Sequence, residues 1–430
     1  MERRFYGDLL KWKESADRKP LIVQGARQVG KTWIMKHFGV HEYKQMIYVN
    51  CDEDPRIKDV FKQDYNIERI LFELQVISGI KATPHDTLII LDEIQEVNRG
   101  LHALKYFCEN AREYHIMVAG SFLGIALNEG TSFPVGKVDM LSLYPLSFSE
   151  FLKEHNPNLH HLLQNGAWES LQTFHADLVA ELRLYYFLGG MPEVVQSYLN
   201  NGDLKKVRLL QKTILETYRN DFAKHAGKNE AIRIRQVFDS IPSQLAKENK
   251  KFIYSLIKGG ARAAAYEVAI QWLIDCGLVY KVSRVREVKL PLKFYEDLGA
   301  FKLFLLDCGL FGCLNEVQPD QILLGDNIFT EYKGSFTEIF VMQQLVADGF
   351  TAYYWSKEQS DGELDFIIQK GTKLIPIEVK AEENVKSRSL SQFIKDHPEY
   401  KGLRISMRGF QEQDWMLNIP LYAINKYLNG

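Results

Sequence analysis

No apolar run in this chain approaches the roughly 18 residues that a membrane-crossing helix needs, which leaves no membrane partner to expect. The start, Met1-Glu2-Arg3-Arg4-Phe5-Tyr6, leads straight into charged amphipathic sequence without the apolar core of a secretory signal. Cysteine is scarce. Five in 430 residues, an odd number without CxxC spacing, exclude a disulfide framework and point to a reducing, cytoplasmic setting. Cys308 and Cys313 are the closest pair, have no histidine nearby, and read as small core residues. The eleven histidines are scattered; His160-His161 lacks ligand spacing to a cysteine or a second histidine pair. There is no GxSxG elbow, no solenoid repeat and no low-complexity tract. A net charge of −2 means that affinity for nucleic acid must come from a local patch. What remains, 46% hydrophobic and 25% charged, is the composition of an ordinary folded chain too long for one core, so two or three domains are expected.

Residues 20–150 alternate short apolar strands with helical segments, which predicts an α/β fold: a parallel sheet with helices on both faces. The strands are expected at 21–24, 46–50, 87–91 and 115–119, each nearly all apolar as strands covered on both sides should be. After the first comes Gly25-Ala26-Arg27-Gln28-Val29-Gly30-Lys31-Thr32, which fits GxxxxGK[ST] without a mismatch. Glycines let the backbone wrap phosphates, whose charge then meets the N–H groups opening the next helix. Lys31 is expected to reach the β- and γ-phosphates of ATP, and the Thr32 hydroxyl to ligate Mg²⁺. The strand 87–91 ends in Asp92-Glu93 at the sheet edge where ligands of open α/β sheets bind. Asp92 would hold the Mg²⁺ shell, and Glu93 would orient or deprotonate the attacking water. The strand 115–119 delivers Ser121, a candidate sensor of the γ-phosphate, to the same edge. These residues predict ATP binding and hydrolysis.

These motifs, with Leu91-Asp92-Glu93-Ile94-Gln95, Ala119-Gly120-Ser121, Tyr144-Pro145-Leu146-Ser147-Phe148-Ser149-Glu150-Phe151, Gly189-Gly190-Met191-Pro192-Glu193 and the segment Phe301 to Leu310, resemble a large bacterial and archaeal family. It is a family of AAA-type, STAND-like P-loop ATPases with a C-terminal domain of unknown function. The resemblance runs along nearly the whole chain. Such proteins commonly carry Gly-Arg before the Pro-Leu-Ser-Phe segment; here the position reads Gly136-Lys137, and lysine cannot form a bidentate fork. The resemblance also places a glycine–proline motif such as Gly190-Met191-Pro192 near the nucleotide, while the residues alone read equally as a helix-ending turn.

Residues 151–245 read as helical, and 252–282 as a helix, a Gly259-Gly260 break, a second helix over 263–276 and a strand, the pattern of a helix-turn-helix with a wing. Residues 250–294 hold nine Lys or Arg against three acids, a local basic excess that suits DNA or RNA backbone contact as well as a solvated face. Lys205, Lys206, Arg208 and Lys212 read as a charged helix face.

In the tail, a turn centred on Gly371-Thr372 sets Asp365 opposite Glu378, with Lys380 on the face of Glu378. Two carboxylates and a lysine converging in this way suit Mg²⁺- or Mn²⁺-assisted phosphodiester cleavage, with Lys380 helping to activate water. The pattern looks like the PD-(D/E)XK nuclease motif. Glu338, on a preceding amphipathic helix over 333–347, matches its extra acid, and Gln392 a further position. The metal ligands expected are therefore Thr32 and Asp92 at the first site and Glu338, Asp365 and Glu378 at the second. The organisation expected is an ATPase domain over 1–200, a helical and winged-helix-like module over 201–295, and a nuclease-like domain over 296–430. Function reads as an ATP-driven switch or motor on nucleic acid with a cleaving tail. The alternative is a nucleotide-gated interaction protein, with a protein partner or self-association, whose tail only binds.

Overall fold

In a computed structural model of the chain, the described residues are 1–97, 99–120, 134–247, 249–323, 333–357, 362–381 and 387–429, without the side chain of 225. They divide into two compact units, residues 1–144 with 275–277 and residues 145–274 with 278–430.

The first unit is built on strands β1 (Leu21–Gln24), β2 (Gln45–Asn50), β3 (Thr87–Asp92), β4 (His115–Ala119) and β5 (Asp139–Ser142). They form one parallel sheet in the order β2-β3-β4-β1-β5. Every residue of β3 and β4 is buried, because helices cover both faces. Ile22, Ile89, Leu91, Ile116 and Val118 pack there with Ile70, Leu74, Leu104 and Phe107 from the helices Ile67–Ser78 and Gly100–Asn110. β5 has no counterpart in the sequence reading. It lies at the sheet edge and alternates half-buried with exposed residues, so it carries no apolar run to betray it. The strand order opens the carboxyl ends of β1, β4 and β3 side by side on one edge of the sheet.

The second unit holds helices Phe148–His155, His175–Leu188, Pro192–Asn201, Leu204–His225 and Lys228–Leu245. Its mixed sheet has eight strands: β6 (Val279–Val285), β7 (Glu296–Leu305), β8 (Ala352–Ser356), β9 (Glu363–Lys370), β10 (Lys373–Lys380), β11 (Gly402–Ser406), β12 (Gln411–Glu412) and β13 (Met416–Pro420). Their order is β12-β13-β11-β10-β9-β8-β6-β7.

The motifs shared with the resembled family have local physical roles here. Ser147 and Glu150 close a capping box at the start of Phe148–His155, satisfying two backbone donors reciprocally. Gly189, at φ 72°, ends the helix His175–Leu188, and Pro192 opens the next, so the glycine–proline motif is a helix-to-helix turn. Asp307, fully buried, caps the helix Cys308–Leu314 through Leu310 N–H and also accepts from Gly190 N–H at 2.6 Å and Gln343 Nε2 at 3.2 Å. A Cβ on Gly190 would stand 2.1 Å from the Leu146 carbonyl oxygen. Three motifs thus meet at one buried hydrogen-bonded hub.

Two expectations are corrected. Residues 252–262 are not a helix: only a single turn, Tyr254–Leu256, precedes the two glycines, and Phe252 N–H is bonded to Phe301 C=O at 2.8 Å. The second helix begins at Glu267, after another single turn at Ala263–Ala265. The strand that follows is β6, paired with β7 and with β8, so the expected wing is part of the large sheet, with Arg284 near the end of β6 and Arg286 just beyond it. The helix Lys333–Ala347 is not amphipathic but buried continuously from Ser335 to Leu345. All five cysteines are free and buried, Cys308 and Cys313 among them.

Candidate functional site

The loop after β1 uses conformations that few side chains tolerate. Gly25 sits at φ 144°, where a Cβ would fall 2.2 Å from the Leu143 carbonyl oxygen, and Gly30 sits at φ 96°. Gln28 takes φ 67° between them. Lys31 opens the helix Lys31–Glu42 and is only 6% exposed; its ammonium donates to the carbonyls of Gly25 and Ala26, both at 2.8 Å. Burial draws its pKa down to about 8, against the opposing pull of Glu93 and Asp92.

Thr32, one residue on, donates its hydroxyl to Asp92 Oδ2 at 2.5 Å across the 60 residues that separate them in sequence. Asp92 is the buried last residue of β3; it also accepts from Tyr48 OH at 3.2 Å and from Glu93 N–H at 3.1 Å. Glu93 stands in the left-handed region at φ 52°, an uncommon place for a residue with a Cβ, and accepts from Gln95 Nε2 at 2.7 Å. The donor set fits a hard divalent cation: a hydroxyl and a carboxylate oxygen already in contact, both hard oxygens at a helix start. Thr32 and Asp92 are the side chains that would hold Mg²⁺, which when bound with ATP neutralises phosphate charge.

The structure therefore brings Gly25, Ala26, Arg27, Gln28, Val29, Gly30, Lys31 and Thr32 together with Asp92 and Glu93 on one sheet edge. Ser121 lies outside the described residues. Lys137 is ion-paired with Glu109 at 2.9 Å. Two further residues escaped the sequence reading. Arg3, 7% exposed, donates to the Tyr144 carbonyl at 2.6 Å and to the P-loop carbonyl of Val29 at 3.4 Å. Tyr48 supports Asp92 from the neighbouring strand, and Lys36 lies 3.4 Å over its ring. Neither belongs to a local motif; each is signalled only by strand order and burial.

The second constellation sits on β9 and β10. The register runs from Lys370↔Lys373 to Phe366↔Ile377, as a turn at Gly371-Thr372 requires. Asp365 Oδ2 accepts from Val379 N–H at 2.7 Å, and Lys380 Nζ lies 3.2 Å from Glu378 Oε1. Glu338 and Glu378 are 4% and 3% exposed. Two lysines join them, Lys250 from the basic stretch over 250–294 and Lys302. Lys250 is ion-paired with Glu338, and Lys302, fully buried on β7, is ion-paired with Glu363. Burial would raise the pKa of Glu338, but Lys250 and Lys302 outweigh it and hold it low. Burial and then Glu338 push Asp365 up to about 7. Burial would lower the Lys302 ammonium, yet Glu338, Glu363 and Asp365 keep it well above its ordinary value. Gln392 is exposed and bonded to Asp396 on its own helix, Arg388–Asp396. Among the described residues no group of three or more His, Cys, Asp or Glu is arranged to hold a metal ion. The signal available in the sequence was Lys302 itself, a charge inside the apolar run Phe301-Lys302-Leu303-Phe304.

No helix among the described residues is long and apolar enough to cross a membrane. Residues 17–152 match the family described as AAA domain, residues 179–321 a domain of unknown function, DUF8612, and residues 333–423 a domain of unknown function, DUF4143. No curated protein matches the chain. Among solved structures it is similar to the Walker-type ATPase PABY2304 of Pyrococcus abyssi, at 15% identity and TM-score 0.44, over 73% of this chain and 95% of that one. It is also similar to the Aeropyrum pernix ORC1 protein in complex with DNA, at 14% identity and TM-score 0.28, over 73% and 91%. The parallel sheet and the P-loop both lie within residues 17–152, the stretch that matches the AAA domain.

Proposed function

We propose that this protein is a Mg²⁺-dependent ATPase that works as a switch or motor on nucleic acid. The observation that carries the ATPase clause is the contact of Thr32 with Asp92 at 2.5 Å, beside Lys31 and Glu93. Glu93 is the base or water-positioning group. Its substitution Glu93→Gln should leave ATP binding intact and lower turnover about 10²- to 10⁴-fold, the range for loss of a positioned base. Turnover equal to wild type would remove Glu93 from that role.

Support for the nucleic-acid clause comes from a cavity of about 550 Å³ in the second unit, lined by Arg233, Lys258, Gly259, Gly260 and Arg262. Lys258 and Arg262 are exposed and form no ion pair among the described residues, whereas Arg233 is shared with Glu230 at 3.2 Å. Two cations free to meet phosphates, beside a glycine turn that lets a backbone approach closely, suit a nucleic-acid strand. Turnover measured with and without single- and double-stranded DNA and RNA should change with one of these polymers. The double substitution Lys258→Ala with Arg262→Ala should remove that change and flatten its salt dependence. Turnover indifferent to all four polymers would sink the clause.

The tail supports two readings. Glu338, Asp365, Glu378 and Lys380 suit metal-dependent cleavage with Mg²⁺ or Mn²⁺, in which case Asp365→Ala abolishes it. The pairing of Lys250 and Lys302 with the carboxylates favours the second reading, in which the nuclease-like tail only binds and ATP gates recruitment of a protein partner.

A further inference from the structure

The carboxyl cluster at the large sheet holds four acids and three lysines. Glu338, Glu363, Asp365 and Glu378 face Lys250, Lys302 and Lys380. Among the described residues, Glu338 Oε2 and Glu378 Oε2 are buried and have no hydrogen-bond partner. Orphaned carboxylate oxygens at this depth are costly, and a cation or donor is what would relieve them. As it stands the cluster does not fit a divalent ion, because Lys250 occupies the other oxygen of Glu338.

The three lysines are held very differently. Lys302 is fixed in the middle of β7, fully buried, with its ammonium 4.9 Å over the Tyr354 ring. Lys380 belongs to β10. Lys250 belongs to no helix or strand: it lies between the helix Lys228–Leu245 and the turn Tyr254–Leu256, at φ 49°. Its neighbours are anchored on both sides. Ser335 Oγ donates to Leu245 C=O at 2.7 Å, and Gln244 exchanges two 2.9 Å hydrogen bonds with the backbone of Ile253. The left-handed backbone, unfavourable for lysine, therefore aims the side chain inward past Gly334, whose Cβ would sit 3.6 Å from the ammonium. Removing Lys250 alone would leave four carboxyl groups against two lysines, and a divalent cation that displaced the Asp365 proton would balance them.

We propose that Lys250 is a tethered internal cation that keeps divalent metal out of the carboxylate cluster. The inference rests on the nuclease-like reading of the tail. The test is Mn²⁺ binding to the full chain without nucleotide, followed by electron paramagnetic resonance of the free ion. Lys250→Met should bind one Mn²⁺ at least tenfold more tightly than wild type, and Mn²⁺ should raise its melting temperature while leaving that of wild type unmoved. Adding Asp365→Asn should abolish the gain, whereas adding Asp92→Asn at the ATP site should not. Lys250→Arg, which keeps the charge, should behave as wild type. Wild type binding Mn²⁺ as tightly as Lys250→Met, with Asp365→Asn removing both, would overturn exclusion by Lys250 but leave the tail a metal site. Binding by neither protein would overturn the inference together with the metal-site reading.

Discussion

Replacing Lys31 by methionine should lower ATP turnover about 10²- to 10³-fold and weaken ATP binding, yet leave the nucleotide-free protein no less stable than wild type. The activity loss follows from removing the buried ammonium that opens the helix after the P-loop, the kind of preorganised charge whose deletion costs this much. The stability result follows from linkage. Burial lowers the Lys31 pKa from 10.5 to about 8, so the folded protein binds this proton more weakly than the unfolded chain does. Above pH 10.5 both states are neutral and nothing is lost; as pH falls toward 8 the unfolded state gains its proton first, and stability drops. Below pH 8 the loss is constant, of order 3 kcal/mol by that shift. Methionine keeps the stem and has no charge to desolvate. Thermal melts of the two proteins from pH 7 to pH 10 should therefore converge as pH rises. A second readout uses the same proton: ATP affinity of wild type should fall as pH climbs through about 8, while that of Lys31→Met should stay flat. Parallel affinity curves for the two proteins would show that the Lys31 charge is not what meets the phosphates.

The parts of the molecule that could be read from sequence are those in which chemistry fixes spacing. A loop that must wrap phosphates needs its glycines at set positions, hence Gly25 and Gly30 with their positive φ. Buried parallel strands are apolar throughout, so β1, β3 and β4 declare themselves. The β9–β10 register followed from turn length alone, since one glycine at φ 60°, Gly371, closes the hairpin. What could not be read depends on contacts between residues far apart in the chain. β5 pairs with β1 across more than a hundred residues and shows water one face. Lys250 reaches Glu338 across 88 residues, and nothing in its own neighbourhood separates it from the other lysines of the basic stretch. The segment from Phe252 departs from its pattern for the same reason: its apolar residues repeat at helical spacing, but Phe301 on β7 takes the backbone donor of Phe252 and stacks on its ring at 5.3 Å. The glycine–proline motif was legible as a pattern, whereas its partner Asp307 was not, because no spacing links residues 190 and 307.

That partnership gives the largest expected effect on folding. Asp307→Ala should destabilise the second unit by about 2–6 kcal/mol, measured as the shift of its denaturant transition at constant slope. Two donors would lose their acceptor inside a dry core, Gly190 N–H and Leu310 N–H, while Gln343 Nε2 would lose one of two and keep Tyr185 OH at 2.9 Å. Each orphaned donor costs about 1–3 kcal/mol, and the loss of the helix cap at Leu310 is already contained in that sum. Water cannot readily substitute, since Gly189 and Gly309 are glycines because of crowding: their Cβ atoms would stand 2.1 Å from Asp307 Oδ1 and 2.3 Å from the Leu188 carbonyl oxygen. The pH dependence separates the charge from the shape. Burial outweighs the hydrogen bonds and raises the Asp307 pKa from 3.8 to about 6. A carboxyl with a raised folded pKa contributes stability that is fully present below pH 3.8 and is lost as pH rises through about 6. Asp307→Asn, which keeps the volume and one acceptor, has no such proton to lose. The stability of wild type relative to Asp307→Asn should therefore fall by about 3 kcal/mol between pH 3.8 and pH 6 and stay level above it. A difference independent of pH across that window would mean that the three donors hold the Asp307 carboxylate ionised throughout.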